Sequence, residues 1–126
     1  LTEGKDFITE DGIAISNKEL TKDPEKPRSY AYCSDTAYYE RIVDYIKGVN
    51  LIYHESTFLE EDRLRAKKTF HSTASDAAKI AQLACADQLL LGHFSNRYSN
   101  KENFLKEARP IFTNSQIAEE GKEYKV

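Results

Sequence analysis

"QLLLGHFSNRY", residues 88–98, is the stretch on which the interpretation of the whole sequence depends. It opens with an apolar run of the length of a buried strand, and this run ends on a glycine and a histidine. Two earlier stretches have the same form, since SYAYCSD at 29–35 and VNLIYHE at 49–55 also end an apolar run on an ionisable side chain. The three stretches predict three strands of one sheet.

The segments between these strands have helical spacing. Helices are predicted at 37–48, 57–70, 73–86 and 100–109, with capping boxes at Thr73 and Asp76 and at Ser99 and Glu102. Strands joined by helical crossovers run parallel, so their carboxyl ends share one edge of the sheet. At the two ends of the chain, residues 5–20 predict a hairpin with an Asp-Gly turn followed by a loop at 21–29, and residues 112–126 predict a final short strand or hairpin.

Three side chains with metal-binding chemistry stand at the predicted carboxyl edge. Asp35, His54 and His93 each follow the last apolar residues of a strand, and ligand sites of open α/β sheets form at such edges. One carboxylate and two imidazoles suit a metal such as zinc. Other interpretations remain open at this point: Asp35 can cap a helix that begins near Ala37, and each histidine can be a hydrogen-bonded residue at a strand end.

Composition limits the class of protein. The chain has 126 residues, 40% of them hydrophobic, which is enough for one domain, and its formal net charge of -3 gives no basic field for nucleic acid. No apolar run reaches the roughly 18 residues of a membrane span, and the first ten residues lack the features of a signal peptide. Two well-separated cysteines, Cys33 and Cys85, indicate reduced thiols and not a disulfide framework. We therefore expect a soluble, cytoplasmic protein. Because the sequence contains no methionine, we also expect it to be a piece of a longer chain.

Four motifs in order resemble the C-terminal portion of ribonuclease Z, the tRNA 3′-processing endonucleases of the metallo-β-lactamase superfamily. The motifs are YCSDT (32–36), YHESTF (53–58), HSTASDAAKIA (71–81) and LLLGHFSNRY (89–98). The resemblance implies an α/β fold in which residues 1–126 form the second half of a metallo-β-lactamase αββα sandwich, with one mixed sheet and helices on one face. It implies phosphodiester hydrolysis that removes 3′ trailers from precursor tRNA.

The resemblance also implies a role for individual residues. Asp35 would bridge two zinc ions and His93 would be the last histidine ligand, while His54 would assist protonation of the leaving oxygen. His71, Ser72 and Thr73 match a loop near bound RNA, and Arg97 matches an arginine beside the phosphate. The chemistry fits, because a carboxylate can bridge two cations and a histidine near neutral pKa can donate a proton.

The sequence departs from the family in what it lacks. The family's upstream His-x-His-x-Asp-His motif is not among the three histidines here, and zinc needs about four donors. We therefore expect this chain by itself to bind zinc weakly or not at all and to cut no RNA. Its expected partners are precursor tRNA, the missing N-terminal half and, in the intact enzyme, a second subunit of a homodimer, with no membrane. Ser34 and Ser56 replace the family's usual Gly and Ala.

Two other function classes remain open. The first is another metallo-β-lactamase-type hydrolase, a phosphodiesterase or arylsulfatase, which would share Asp35 and His93. The second is a non-catalytic interaction domain on the same scaffold.

Overall fold

A parallel sheet forms the centre of the molecule. The computed structural model describes residues 7–8, 14–15 and 24–126. Two short strands, Phe7–Ile8 (β1) and Ala14–Ile15 (β2), pair antiparallel and separately from the main sheet. The main sheet has four strands, in the order of the chain: Tyr30–Cys33 (β3), Leu51–Glu55 (β4), Gln88–Gly92 (β5) and Ser115–Ile117 (β6).

These strands confirm the predicted ones, including the short strand near the end of the chain. The β1–β2 pairing is that of the predicted hairpin, and its Asp-Gly turn at residues 11–12 lies outside the described residues. The predicted loop is described only from residue 24, and residues 24–29 have no regular structure. All four strands of the main sheet run parallel, whereas the resemblance implied a mixed sheet.

The strands end level with one another. Cys33 pairs with His54 across β3 and β4, and Glu55 pairs with Gly92 across β4 and β5. The loops that follow these three strands therefore start side by side at one edge of the sheet, as the crossover rule predicts.

Helices connect the strands. They are Val43–Ile46 (α1), Arg63–Thr69 (α2), Ala74–Leu83 (α3) and Glu102–Ala108 (α4), with 3₁₀ turns at Glu40–Ile42 and Glu60–Asp62. Among the residues that the structure describes, no helix is long and apolar enough to span a bilayer. The capping box of Thr73 and Asp76 is present at α3. The one predicted at Ser99 is wrong, because the side-chain oxygen of Asn100 accepts the hydrogen bond from the Glu102 amide at 2.9 Å.

Two helices begin later than predicted. The segment predicted as a helix at 37–48 first forms a turn at Glu40, whose N-cap Tyr39 is extended. In the segment predicted at 57–70, Phe58 forms a bridge with Thr73 instead of a helical turn. In the second segment, the bridge of Phe58 and the burial of residues 57–59 outweigh the helical pattern of the sequence.

The core lies between the sheet and α3. Ile52, Leu89 and Leu91 are fully buried on the helical face of the sheet, under the alanines Ala77 and Ala81 of α3. Small side chains on the helix allow it to approach the strands closely. Full burial of a leucine or isoleucine side chain contributes about 1.5–3 kcal/mol, so this layer fixes the position of the loops at the sheet edge.

The opposite face of the sheet is partly open. Side chains alternate along a strand, so Tyr30 and Tyr32 of β3 point away from the helices, and they are 50% and 65% exposed. Tyr32 stacks on Tyr53 of β4 with ring centroids 4.8 Å apart. Leu51 and Leu90 remain buried on this face.

Candidate functional site

Asp35 and His93 meet at the carboxyl edge of the sheet. Each follows a strand in the left-handed backbone conformation, with φ of 49° for Asp35 and 59° for His93. This conformation is uncommon outside glycine and gives each loop a sharp turn directly after its strand. The His93 Nε2 and Asp35 Oδ1 atoms lie 3.4 Å apart. No helix begins near Ala37, so Asp35 is not a helix cap.

His71 is the third member of this cluster. Asp35, His71 and His93 each offer one ligand atom, and these atoms all lie within 4.8 Å of one another. The His71 and His93 rings have centroids 5.3 Å apart. His71 precedes α3 in the chain, and the cap of that helix at Thr73 holds the turn that carries it.

A fully buried carboxylate, Glu55, stands behind the cluster. Its two oxygens accept five hydrogen bonds, from His71 Nδ1 (2.7 Å), Thr57 Oγ1 (2.7 Å), and the backbone amides of Thr36 (2.9 Å), Ser72 (3.1 Å) and Thr57 (3.2 Å). These donors lie in the loops after β3 and β4 and in the loop before α3. One side chain therefore fixes the loops that carry Asp35 and His71.

Glu55 is ionised in this setting. Burial by itself would raise the pKa of the Glu55 carboxyl, but hydrogen bonds from Thr57, His71 and Ser72 outweigh burial and hold the pKa below its usual value. Hydrogen bonds to the charged form of a carboxylate favour that form. Glu55 therefore acts only as an acceptor.

The Thr57 hydroxyl connects Glu55 to His93 through two hydrogen bonds. The Thr57 hydroxyl has a single proton and donates it to Glu55 Oε2. Its oxygen lies 2.9 Å from His93 Nδ1, and because the hydroxyl proton is already used, His93 Nδ1–H must be the donor of this hydrogen bond. In the neutral ring the lone pair is then on Nε2, which faces Asp35.

His54 does not join the cluster. The sequence predicted that it shares a pocket with Asp35 and His93, but it is 1% exposed and lies on the helical face with Ile52, because neighbouring strand residues point to opposite faces. Its Nδ1 lies 2.7 Å from the Glu55 carbonyl oxygen, and burial lowers its pKa. The histidine with the position expected of His54 is His71.

The side chains of Ser72 and Thr73, which the resemblance placed near RNA, are also fully buried. The Ser72 hydroxyl donates to the Thr36 carbonyl at 2.7 Å. The Thr73 hydroxyl accepts from the Asp76 amide and donates to Glu60. Both hydroxyls hold the loop in place, and within the 71–73 motif only His71 is partly exposed.

Arg97 lies on the open side of the same edge. Its Nη1 donates to Asp62 Oδ1 at 3.0 Å, and its guanidinium lies over the Phe58 ring, 5.8 Å from the centroid. Phe58 also contacts the His71 ring, at 6.2 Å between centroids. An open cleft of about 770 Å³ runs beside His93 and is lined by Asn96 and Lys101, among others.

Asp35 and His93 fit a zinc ion. Zinc–nitrogen and zinc–oxygen bonds of about 2.0–2.2 Å in a tetrahedral site place two donors roughly 3.4 Å apart, which is the separation observed between Nε2 and Oδ1. Two lone-pair donors that face each other are stabilised by a cation between them. The contact from Thr57 to His93 Nδ1 is the kind of outer hydrogen bond that orients a metal-binding histidine.

Comparison with solved structures defines the class of fold. The metallo-β-lactamase fold protein YhfI from Bacillus subtilis superposes with a TM-score of 0.72 at 24% identity, over 78% of this chain and 40% of that one. Human tRNase Z, short form, superposes with a TM-score of 0.54 at 26% identity, over 84% of this chain and 34% of that one. The chain therefore has the architecture of part of a metallo-β-lactamase fold, with the candidate site at its sheet edge.

Sequence comparison is more specific within that class. No protein-family profile matches the chain. Ribonuclease Z of Porphyromonas gingivalis is 52% identical over 120 residues, which is 95% of this chain and 40% of that protein. Ribonuclease Z of Bacteroides fragilis is 47% identical over 93% of this chain, and that of Cytophaga hutchinsonii is 47% identical over 100% of it. The chain is therefore homologous to ribonuclease Z over nearly its whole length, and it spans about 40% of the length of these relatives.

Sequence reasoning missed Glu55 and Thr57. Glu55 is the acidic residue that ends the apolar run 49–55, and a carboxylate at the carboxyl end of a predicted buried strand was the available signal. The motif drew attention to His54 instead. Thr57 gave no signal of its own in the sequence.

Proposed function

We propose that this chain is the second half of a metallo-β-lactamase domain in a zinc-dependent endoribonuclease that removes 3′ trailers from precursor tRNA by phosphodiester hydrolysis. The observation that carries the proposal is the convergence of Asp35, His71 and His93 at one sheet edge, around the buried carboxylate of Glu55. The ribonuclease Z names of the relatives support the choice of substrate.

Asp35 and His93 would hold the metal. When bound, a pair of zinc ions supplies Lewis acidity and an acidified water as the nucleophile. The remaining metal ligands would come from parts of the protein outside this segment. We assign the ligands to two parts of the protein because zinc requires roughly four donors and this segment offers two with suitable spacing.

His71 would donate the proton to the departing ribose oxygen. Its Nδ1 donates to Glu55 Oε1 at 2.7 Å, so its Nε2 remains for exchange with the substrate. The ionised Glu55 fixes the ring orientation and stabilises positive charge on the imidazole, as a buried carboxylate does in other acid–base pairs. This role was expected of His54, whose buried position does not suit it.

Arg97 would bind a phosphate oxygen. A guanidinium has five N–H donors in a planar fork, and the contact with Asp62 uses one of its nitrogens. Arg97 lies at the same edge as His71, since both contact Phe58. Asn96 and Lys101, in the cleft beside His93, are available to the neighbouring nucleotides.

The test is a cleavage assay with a precursor tRNA that carries a 3′ trailer, in a protein of the relatives' full length that contains this segment. His71→Ala should lower kcat by about 10²–10⁴-fold, the usual contribution of a general acid, while metal content stays unchanged. Asp87→Ala is the control, because Asp87 precedes β5 at the opposite end of the sheet. Full activity of the His71 variant would overturn the assignment of the acid. Hydrolysis of small esters without cleavage of the tRNA would show that precursor tRNA is not the substrate.

The proposal also includes a homodimeric state, a cytoplasmic location and zinc as the metal. Light scattering of the full-length protein measures the first, and metal analysis of protein purified without added metal measures the last. A monomer, or manganese in place of zinc, would correct those parts of the proposal without affecting the roles of Asp35 and His93.

A further inference from the structure

Asp62 holds two consecutive residues of the loop that follows β5. One oxygen of its carboxylate accepts a hydrogen bond from Arg97 Nη1 at 3.0 Å, and the other accepts one from the Tyr98 hydroxyl. The Tyr98 hydroxyl in turn accepts from the Leu59 amide at 3.0 Å. Both oxygens of Asp62 are therefore engaged with the segment that also carries His93.

Tyr98 is itself anchored in the core. Its ring packs edge-on against the fully buried Phe104 of α4, with centroids 5.2 Å apart. Burial and the hydrogen bond to Asp62 raise the pKa of Tyr98 to about 12, so the hydroxyl keeps its proton at neutral pH. Tyr98 is therefore a hydrogen-bond donor to Asp62 at neutral pH.

Arg97 has no comparable anchor of its own. Its side chain is 35% exposed, and its described contacts are the ion pair with Asp62 and the face of the Phe58 ring. A long, half-exposed side chain loses considerable rotamer entropy when it is held in one place. The two contacts hold the guanidinium at one angle before any phosphate arrives.

We propose that Asp62 is a positioning residue for Arg97: the core-anchored carboxylate fixes the guanidinium so that its free N–H groups face the scissile phosphate. This inference rests on the proposed function, because it assumes that Arg97 binds phosphate. It adds a residue on a separate element, the 3₁₀ turn Glu60–Asp62, that acts through Arg97.

A simple charge effect predicts the opposite result. An aspartate beside a phosphate site repels the RNA, so its removal should tighten binding if Asp62 acts only through its charge. If Asp62 positions Arg97, its removal should weaken transition-state binding, because misplacing a substrate-positioning group is costly. The sign of the change in kcat/KM therefore distinguishes the two effects.

The experiment is a double-mutant cycle in the full-length protein, with kcat/KM for precursor tRNA as the readout. Asp62→Ala should lower kcat/KM on the order of tenfold, and Arg97→Ala should lower it at least as much. In the Arg97→Ala background, Asp62→Ala should have almost no further effect, because residues that act through one another are not additive. Asp62→Asn keeps an acceptor oxygen for Arg97 and should recover most of the loss.

Control variants distinguish a positioning effect of Asp62 from a loss of protein stability and from a failure of the proposed function. Asp87→Ala removes an aspartate that accepts from the Asn50 side chain at 2.8 Å, at the far end of the sheet, and should leave kcat/KM unchanged. If Asp62→Ala is equally harmful with and without Arg97, or if it raises kcat/KM, the inference is wrong. If Arg97→Ala leaves tRNA cleavage intact, the phosphate role in the proposed function fails instead.

Discussion

Glu55 is the residue on which the geometry of the candidate site depends most. It is fully buried and accepts five hydrogen bonds, and its pKa lies below the usual carboxyl value of 4.5. A group whose pKa is lowered by folding stabilises the folded state above its unfolded pKa. That contribution is lost as the pH falls through the lower, folded pKa.

Glu55→Gln should therefore weaken the protein at neutral pH and remove part of its sensitivity to acid. We expect a loss of about 2 kcal/mol in the free energy of unfolding at pH 7, because hydrogen bonds to a charged group are stronger than those to an amide. The difference from wild type should shrink below about pH 4.5. Denaturant unfolding at a series of pH values measures this, and a constant difference across the range would contradict it.

Thr57 should control metal affinity without binding metal. Thr57→Val removes the acceptor for His93 Nδ1, so the ring loses the contact that fixes its tautomer, and metal affinity should fall about 10–100-fold. Thr57→Ser keeps the hydroxyl and is the matched control. Competition with a chromogenic chelator measures the affinity in the full-length protein. Equal affinities for the valine and serine variants would show that the hydroxyl has no such role.

At the residue scale, the sequence predicted part of the site. Asp35 and His93 end predicted parallel strands, so their proximity follows from the crossover rule. His54 and Glu55 are neighbours on one strand and point to opposite faces. Both faces of LIYHE carry apolar side chains, so periodicity could not indicate which of the two faces the site. The side chains of His71 and Thr57 lie in loops, where no period applies.

At the scale of elements, the sheet is the part that the sequence predicts best. The apolar strand runs and the α3 capping box have strong local signals. The helices at 37–48 and 57–70 are overpredicted at their starts: Tyr39 is extended, and in the second segment residues 57–59 are buried, with Phe58 in a bridge and Leu59 extended. Tertiary contacts, and not local propensity, determine the second of these boundaries.

Close contact between β4 and β5 favours a glycine at position 92, directly before His93. A Cβ atom at Gly92 would lie 2.2 Å from the Tyr53 hydroxyl and 2.5 Å from its ring carbons. Gly92→Ala should displace the Tyr53 side chain and lower the free energy of unfolding by about 1–3 kcal/mol, the usual cost of overpacking. Tyr53→Ala removes the obstacle, so the second change should cost far less in that background. Unfolding free energies of the four proteins measure the coupling, and simple additivity would contradict it.

At the scale of the whole molecule, the described residues offer one small group of potential metal donors. It matches about 40% of the length of ribonuclease Z relatives. Among the described residues, Asp35, His71 and His93 form the grouped set of potential ligands, and His71 is engaged with Glu55. The expectation of too few zinc ligands, drawn from the three histidines of the sequence, stays a prediction.

We therefore expect this chain by itself to take up zinc weakly and to cut no precursor tRNA. Isothermal titration with zinc should give little heat, and the Asp35→Ala variant should give the same weak response. Circular dichroism of the same sample establishes that the chain is folded during the titration. Stoichiometric, submicromolar binding, or cleavage of a 3′-extended tRNA, would contradict the prediction.

The burial of Glu55 affects how related sequences should be judged. Replacing this glutamate would leave up to five hydrogen-bond donors without their acceptor, so we expect related sequences to keep it for the sake of folding, whatever their chemistry. Asp35 and His93, on the solvent side, satisfy no comparable set of buried donors, so folding constrains them less. A homologue that retains the glutamate but lacks the other two should therefore keep the loop geometry without the two side chains proposed to bind metal.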